Sequence, residues 1–106
     1  MCIVRVAVIE SNGQYLVRPA VVFLSKTQGD TFRLINRTTQ TLTLSAIGTS
    51  PFEASLSTPV NIGSGDRRDL PLAPSPVGSF SYRVEVGEGR VVAQGNSDPV
   101  IIIDDP

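Results

Sequence analysis

Few side chains in this sequence are suited to acid–base or redox chemistry. Among the 106 residues there is no histidine and a single cysteine, Cys2. Histidine is the usual general base at neutral pH and the commonest ligand for zinc, copper and non-haem iron. Its absence argues against most hydrolytic and redox enzymes. Cys2 can form no internal disulfide, and we interpret it as a terminal thiol without a role.

Carboxylates are the remaining groups that could catalyse a reaction. A pair of them hydrolyses glycosides without histidine, and the candidates are Glu53, Glu85 and Glu88. Glu85 is expected on the solvent face of a strand and Glu88 at the tip of a turn, outside the apolar surroundings that raise an acid's pKa. No loop has the acidic spacing of a calcium site, so we expect no cofactor. The sequence predicts a protein that is not an enzyme, with a glycosidase-like, carboxylate-dependent enzyme as the alternative.

Charge and hydropathy restrict the partners of the chain. Nine basic and ten acidic side chains give a net charge of -1, whereas a nucleic-acid surface carries a basic excess. No apolar stretch approaches the roughly 18 to 20 residues of a membrane span. We therefore expect neither nucleic-acid binding nor a membrane span. The start of the chain has no signal-peptide pattern, which predicts a cytoplasmic protein if Met1 is the native start and a periplasmic or secreted one if a signal peptide was trimmed.

The elements that would position these side chains are strands. Val, Ile, Thr, Phe and Tyr supply 35 of the 106 residues, and these types favour a pleated sheet. Pro19 cannot donate to a sheet ladder and marks an edge, a bulge or a crossing between sheets, while Pro71 confines its strand to an edge. The expected strands cover residues 3–10, 14–18, 20–25, 31–36, 41–46, 60–62, 67–72, 79–86, 90–94 and 100–103.

Apolar and polar residues alternate most clearly in 31–36 and 41–46. Phe32, Leu34, Leu42 and Leu44 fall on one face of each segment, so we expect these two strands to form a hairpin with one face in the core. These ten extended segments, of which 14–18 and 20–25 are two pieces interrupted by Pro19, amount to seven to nine strands with turns every 8 to 12 residues, and they favour an all-β fold. We predict one antiparallel Greek-key β-sandwich domain over 1–106, either cupredoxin-like or immunoglobulin-like.

Two stretches resemble the cupredoxin family, the blue-copper sandwich proteins. The stretch GDTFRLIN at 29–36 is similar to the family's Gly-Asp, alternating strand and Asn, and GSFSYRVEVG at 78–87 is similar to the end of its copper strand. The resemblance covers about half of the chain. It implies that the copper ligands would fall at Leu42, Val84, Gly87 and near Val92, where no side chain can bind copper. The resemblance therefore implies a copper-free relative without electron transfer, with a binding or scaffold role.

From these observations we predict a non-enzymatic module that binds another protein, or itself, or that serves a structural role; a small-ligand carrier is a further alternative. The pattern Asn36-Arg37-Thr38 fits a glycosylation acceptor, and Asn36 also stands where a turn favours Asn. Several strands are apolar enough to need cover at an edge or a face. The predicted partner-facing loops contain Arg37, Thr39, Gln40, Glu88 and Arg90, which the resemblance places together at one end, and the predicted self-association edge is Val100, Ile101, Ile102 and Ile103.

Overall fold

A computed structural model describes residues 3–25, 29–47, 52, 60–72, 77–93 and 98–104. The regular elements in these ranges are all strands, as the β-branched composition predicts. No described segment forms a helix long and apolar enough to cross a membrane. The strands are β1 (Ile3–Ser11), β2 (Gln14–Arg18), β3 (Val21–Ser25), β4 (Thr31–Asn36), β5 (Leu42–Ile47), β6 (Val60–Ile62), β7 (Arg67–Pro71), β8 (Gly78–Val86), β9 (Val91–Val92) and β10 (Val100–Asp104).

These strands form two sheets that face each other as a sandwich. The first has the order β2-β1-β4-β7, and the second has the order β3-β10-β8-β5-β6, with β9 paired to the end of β8. The all-β sandwich prediction is confirmed. The sheets are mixed rather than purely antiparallel, because β1 pairs with β4 and β3 pairs with β10 in parallel. Parallel neighbours arise here because the chain passes through the opposite sheet before it returns to lie beside an earlier strand.

Two short connections behave as their residues predict. Asn12 and Gly13 join β1 to β2 with φ values of 52° and 78°, the left-handed conformation that Asn and Gly adopt at low cost. Pro19 follows β2 and precedes β3, which belongs to the other sheet. Of the three roles predicted for Pro19, it takes the crossing between sheets. Pro71 ends β7, which is an edge strand as predicted.

The predicted hairpin of β4 and β5 is wrong. β4 lies between β1 and β7 in the first sheet, and β5 lies between β8 and β6 in the second. Phe32, Leu34, Leu42 and Leu44 are nevertheless all fully buried. Two strands that face each other across a core show the same alternation as two strands that pair, so alternation predicts the buried face but not the neighbour.

The predicted edge at Val100–Ile103 is also wrong. β10 pairs with β3 on one side and with β8 on the other, so its backbone groups are used within the sheet. A strand with apolar residues on both faces is typical of an interior position. The edge strand beside β10 is β3 instead, which pairs only with β10 among the described strands, and the opposite edge of the sheet is β6.

Aromatic rings fill the middle of the core. Phe32 lies 5.5 Å from Tyr82 in an edge-to-face contact and 5.4 Å from Phe52 in a tilted one, between ring centroids. Phe52 forms an antiparallel bridge with Leu72 and is buried in the core. The Tyr82 hydroxyl is buried and has no hydrogen-bond partner among the described residues. Burial raises the pKa of Tyr82 far above its ordinary value.

Candidate functional site

Four connections meet at one end of the sandwich. They are the β1–β2 turn, the β4–β5 crossing at 37–41, the β6–β7 turn at 63–66 and the β8–β9 turn at 87–90. The Arg37 N–H donates to the Val8 carbonyl oxygen at 3.0 Å, and the Gly87 N–H donates to the Thr41 carbonyl oxygen at 2.9 Å. The 37–41 crossing is therefore bonded to the first sheet at its start and to the second sheet at its end.

Asn36 is the residue that fixes this crossing in place. Its side chain is 1% exposed. Its amide nitrogen Nδ2 donates to the Gln40 carbonyl oxygen at 2.7 Å, and the carbonyl oxygens of Ile62 and Gly63 each lie 3.0 Å away. Its oxygen Oδ1 accepts hydrogen bonds from the backbone N–H and the hydroxyl of Thr38, at 2.9 and 2.7 Å. A buried amide whose donor and acceptor are both bonded defines one loop conformation.

The backbone of Asn36 adds the β6–β7 turn to the same network. Its N–H donates to the Asp66 carbonyl oxygen at 2.9 Å, and its carbonyl oxygen accepts from the Gly65 N–H at 3.1 Å. The Ser64 hydroxyl donates to the Thr38 carbonyl oxygen at 2.7 Å. Asn36 therefore joins two loops into one rigid unit. A buried, fully bonded side chain is not a glycan acceptor in the folded protein, so the acceptor pattern at Asn36 is explained by this turn network instead.

A groove of about 480 Å³, open to solvent, lies between the crossing and the β8–β9 turn. Gln40 contributes one wall of the groove. Its side chain lies close to Gly87, because a Cβ placed on Gly87 would be 3.3 Å from the Oε1 atom. Gly87 has a φ of 73°, so it gives the turn a conformation that glycine adopts readily and leaves room for that side chain. The groove is lined by Tyr15, Gln40, Thr41, Gly87, Glu88 and Val91.

The groove combines apolar and acidic groups. Val91 is 53% exposed, and Tyr15 packs its ring partly against the core. Glu10 lies opposite Tyr15 across the β1–β2 pair. Partial burial, and in second place the charge and hydrogen bonding of Glu10, raise the pKa of Tyr15. Tyr15 thus combines a polar hydroxyl with a mostly apolar ring in the lining of the groove.

The structure brings some of the predicted partner-facing residues together and separates others. Gln40 and Glu88 both line the groove. Arg37 and Thr39 are exposed on the crossing outside it, and Arg90 lies 3.9 Å from the Glu85 carboxylate, measured between Nη1 and Oε1. Tyr15 and Val91 were not among the predicted residues. A partner role for any of these residues stays a prediction.

The positions that the resemblance assigns to copper ligands do not fit a copper ion. Leu42 and Val84 are fully buried hydrocarbon side chains, Gly87 has no side chain, and Val92 has no donor atom. A blue-copper site needs imidazole and thiolate ligands. Over the described ranges, no group of three His, Cys, Asp or Glu side chains could hold a metal ion.

No protein-family model and no curated protein matches the sequence. Solved structures do match the fold. A reduced Cu(I) form of an amicyanin mutant has a TM-score of 0.62 at 11% identity, over 95% of this chain and 81% of that one. A purple cupredoxin from Nitrosopumilus maritimus has a TM-score of 0.55 at 14% identity, over 94% of this chain and 98% of that one.

A blue copper oxidase from Nitrosomonas europaea matches with a TM-score of 0.58 at 16% identity, over 98% of this chain and 39% of that one. At these identities the likeness concerns the fold alone. It agrees with the two stretches at 29–36 and 78–87 that resemble the family. The chain therefore has a cupredoxin-like β-sandwich fold, and its described residues include no group of three or more His, Cys, Asp or Glu side chains that could hold a metal ion.

Proposed function

We propose that this protein is a non-enzymatic binding module without electron transfer, and that it binds a partner protein through the groove between the 37–41 crossing and the β8–β9 turn. One observation supports this most directly. The loop that forms one wall is held by the buried, fully bonded Asn36 side chain. A surface that is already ordered loses little conformational entropy when it binds.

The residues that line the groove fit a protein partner. Tyrosine is enriched among residues that dominate binding energy, because its ring gives a large contact area and its hydroxyl a hydrogen bond. Tyr15 and Val91 supply an apolar contact, and Gln40 and Thr41 supply amide and hydroxyl groups. An exposed apolar side chain surrounded by polar ones is typical of a contact site. We therefore expect the partner to insert an apolar side chain beside Tyr15 and Val91.

A pair of matched valine substitutions tests the proposal. Val91 and Val77 are 53% and 52% exposed, but Val77 precedes the start of β8 and the groove lies at the end of that strand. Immobilised protein would capture partners from its native cell extract, and the purified partner would be titrated by calorimetry. Val91→Asp is expected to weaken affinity about tenfold or more, because a carboxylate is placed in an apolar contact.

Val77→Asp adds the same charge at the same exposure and should change affinity by less than about twofold. Circular dichroism should show that both variants are folded. Equal affinities of the two variants for the partner would contradict the proposal, because Val91 in the groove would then matter no more for binding than Val77 outside it.

A further inference from the structure

β3 exposes an unpaired strand edge in the described part of the chain. The Val100 N–H donates to the Ala20 carbonyl oxygen at 2.9 Å, so the backbone groups of Ala20 face β10. Because successive residues of a strand point their backbone groups to opposite sides, those of Val21 and Phe23 face away from β10. No described strand lies on that side of β3.

The unpaired part of this edge is limited on both sides. Ser25 also faces outward, but its N–H donates to the Asp30 side chain at 2.9 Å and its carbonyl oxygen accepts from the Asp30 N–H at 3.2 Å. At the other end Pro19 has no N–H to donate. Val21 and Phe23 are therefore the two residues of β3 whose backbone donors and acceptors are left for pairing by another chain.

Both residues also present apolar side chains to solvent. Phe23 is 65% exposed, the highest value among the large hydrophobic residues of the described ranges, and Val21 is 48% exposed. β3 itself contains no charged residue, and the residues opposite Val21 and Phe23 on β10 are Val100 and Ile102; the acidic residue of β10, Asp104, lies opposite Ser25 at the end of the edge. An edge strand normally has a charge or a proline that discourages pairing. Within β3 itself neither is present.

We propose that β3 pairs in antiparallel fashion with β3 of a second copy of this chain, so that Val21 of each copy lies opposite Phe23 of the other. Residues opposite one another in a hydrogen-bonded antiparallel pair exchange two hydrogen bonds, so this register forms four. It places Pro19 opposite Ser25 of the second copy, and neither of these can extend the ladder. In this register the end of the edge that lacks a donor, Pro19, lies opposite the end whose backbone groups are already bonded, Ser25. This match between the two ends favours a second copy of the chain over a strand from another protein.

The small size of this contact predicts a weak dimer. A stable interface buries about 800 Å² on each partner, and two exposed side chains on a short edge provide well under half of that. We therefore expect a dissociation constant between about 10 µM and 1 mM. The β3 edge is separate from the groove. β3 pairs with β10, and β10 pairs with the first residues of β8, whereas the groove lies at the end of β8.

Sedimentation velocity between about 10 µM and 1 mM measures this association. The wild-type protein should shift from monomer to dimer with concentration. Phe23→Lys should stay monomeric at about 1 mM, and Ile3→Lys, which adds the same charge at an exposed apolar residue of the other sheet, should dimerise like the wild type. A monomeric wild-type protein at 1 mM, or a dimer unaffected by Phe23→Lys, would overturn the proposal. The assay contains no partner protein, so its result is independent of the proposed groove function.

Disulfide trapping tests the register. In a Cys2→Ser background, a mixture of Val21→Cys and Phe23→Cys proteins should form a mixed disulfide faster than either protein forms one alone. Opposed residues of a hydrogen-bonded pair have Cα atoms about 5.5 Å apart, within the range of a disulfide. Faster self-linking of Phe23→Cys would overturn this register.

Discussion

Replacement of Asn36 by alanine tests whether one buried amide holds the loops at the groove end. The substitution removes the Nδ2 donor that serves the carbonyl oxygens of Gln40, Ile62 and Gly63, and the Oδ1 acceptor of the Thr38 N–H and hydroxyl. It also leaves a small void, because the side chain is 1% exposed. The backbone hydrogen bonds of residue 36 to the β6–β7 turn can remain.

The expected loss of stability follows from these contacts. A hydrogen bond contributes about 0.5–1.5 kcal/mol net, and a buried group left without a partner costs about 1–3 kcal/mol. Once Oδ1 is removed, the Thr38 hydroxyl can donate its one hydrogen to the Gln40 carbonyl oxygen, 3.1 Å away, which reduces the penalty. We expect Asn36→Ala to lower the free energy of unfolding by about 3 kcal/mol.

Urea denaturation followed by far-ultraviolet circular dichroism measures this difference. With a denaturant slope of about 1–2 kcal/mol per molar, the midpoint should fall by about 1.5–3 M. Asn61→Ala is the matched control, because Asn61 is exposed and has a 3.2 Å hydrogen bond from the Thr43 hydroxyl. Its cost should stay below about 0.5 kcal/mol. If Asn36→Ala costs no more than Asn61→Ala, the reasoning about this network is refuted.

Three further substitutions have defined outcomes. Tyr82→Phe should raise the free energy of unfolding by about 1 kcal/mol, because it removes a buried hydroxyl without a described partner. Burial raises the pKa of Tyr82, so wild-type stability should fall above about pH 10, where unfolded tyrosine ionises. The Tyr82→Phe variant should show a smaller fall. A variant less stable than the wild type at neutral pH would contradict the expected gain. The hydrogen bond from Arg33 at 2.6 Å lowers the pKa of Asp69. The carboxylate therefore stabilises the folded state above its unfolded pKa, and this stabilisation is lost as the pH falls through the folded pKa. Asp69→Asn should flatten the acid side of the stability curve slightly, since the carboxylate is exposed, and unchanged curves would refute the contribution. Gly87→Ala should destabilise more than Gly13→Ala, because both have positive φ but only at Gly87 would an added Cβ lie within 3.4 Å of another side chain; equal losses by thermal denaturation would contradict the close contact.

The sequence predicted local structure well because the signals are local. Alternation in 31–36 and 41–46 placed Phe32 and Leu44 in the core, and both are fully buried. Strand pairing is different, since it depends on where a chain goes after it leaves a sheet. The Asn36 network directs the 37–41 crossing to the second sheet, and nothing in the composition of the crossing distinguishes that path from a hairpin.

The candidate site was predicted only in part, for a related reason. Gln40 and Glu88 lie in turns that the sequence identifies as exposed. Tyr15 reaches the groove because the β1–β2 turn lies at the same end of the sandwich, a proximity that requires both sheets to be assembled. Val91 had a weaker signal, an apolar residue directly after a Gly-rich turn, but its exposure depends on how short β9 is.

Hydrogen exchange of backbone amides in the presence of the captured partner tests the central claim most directly. At a concentration of about 5 µM, below the proposed self-association, partner binding should slow exchange in 37–41, 87–91 and at Tyr15. Exchange in β3, from Val21 to Ser25, should not change. Protection confined to β3 or to the opposite end of the sandwich, with unchanged exchange in 37–41 and 87–91, would contradict the claim that the groove end is the binding surface.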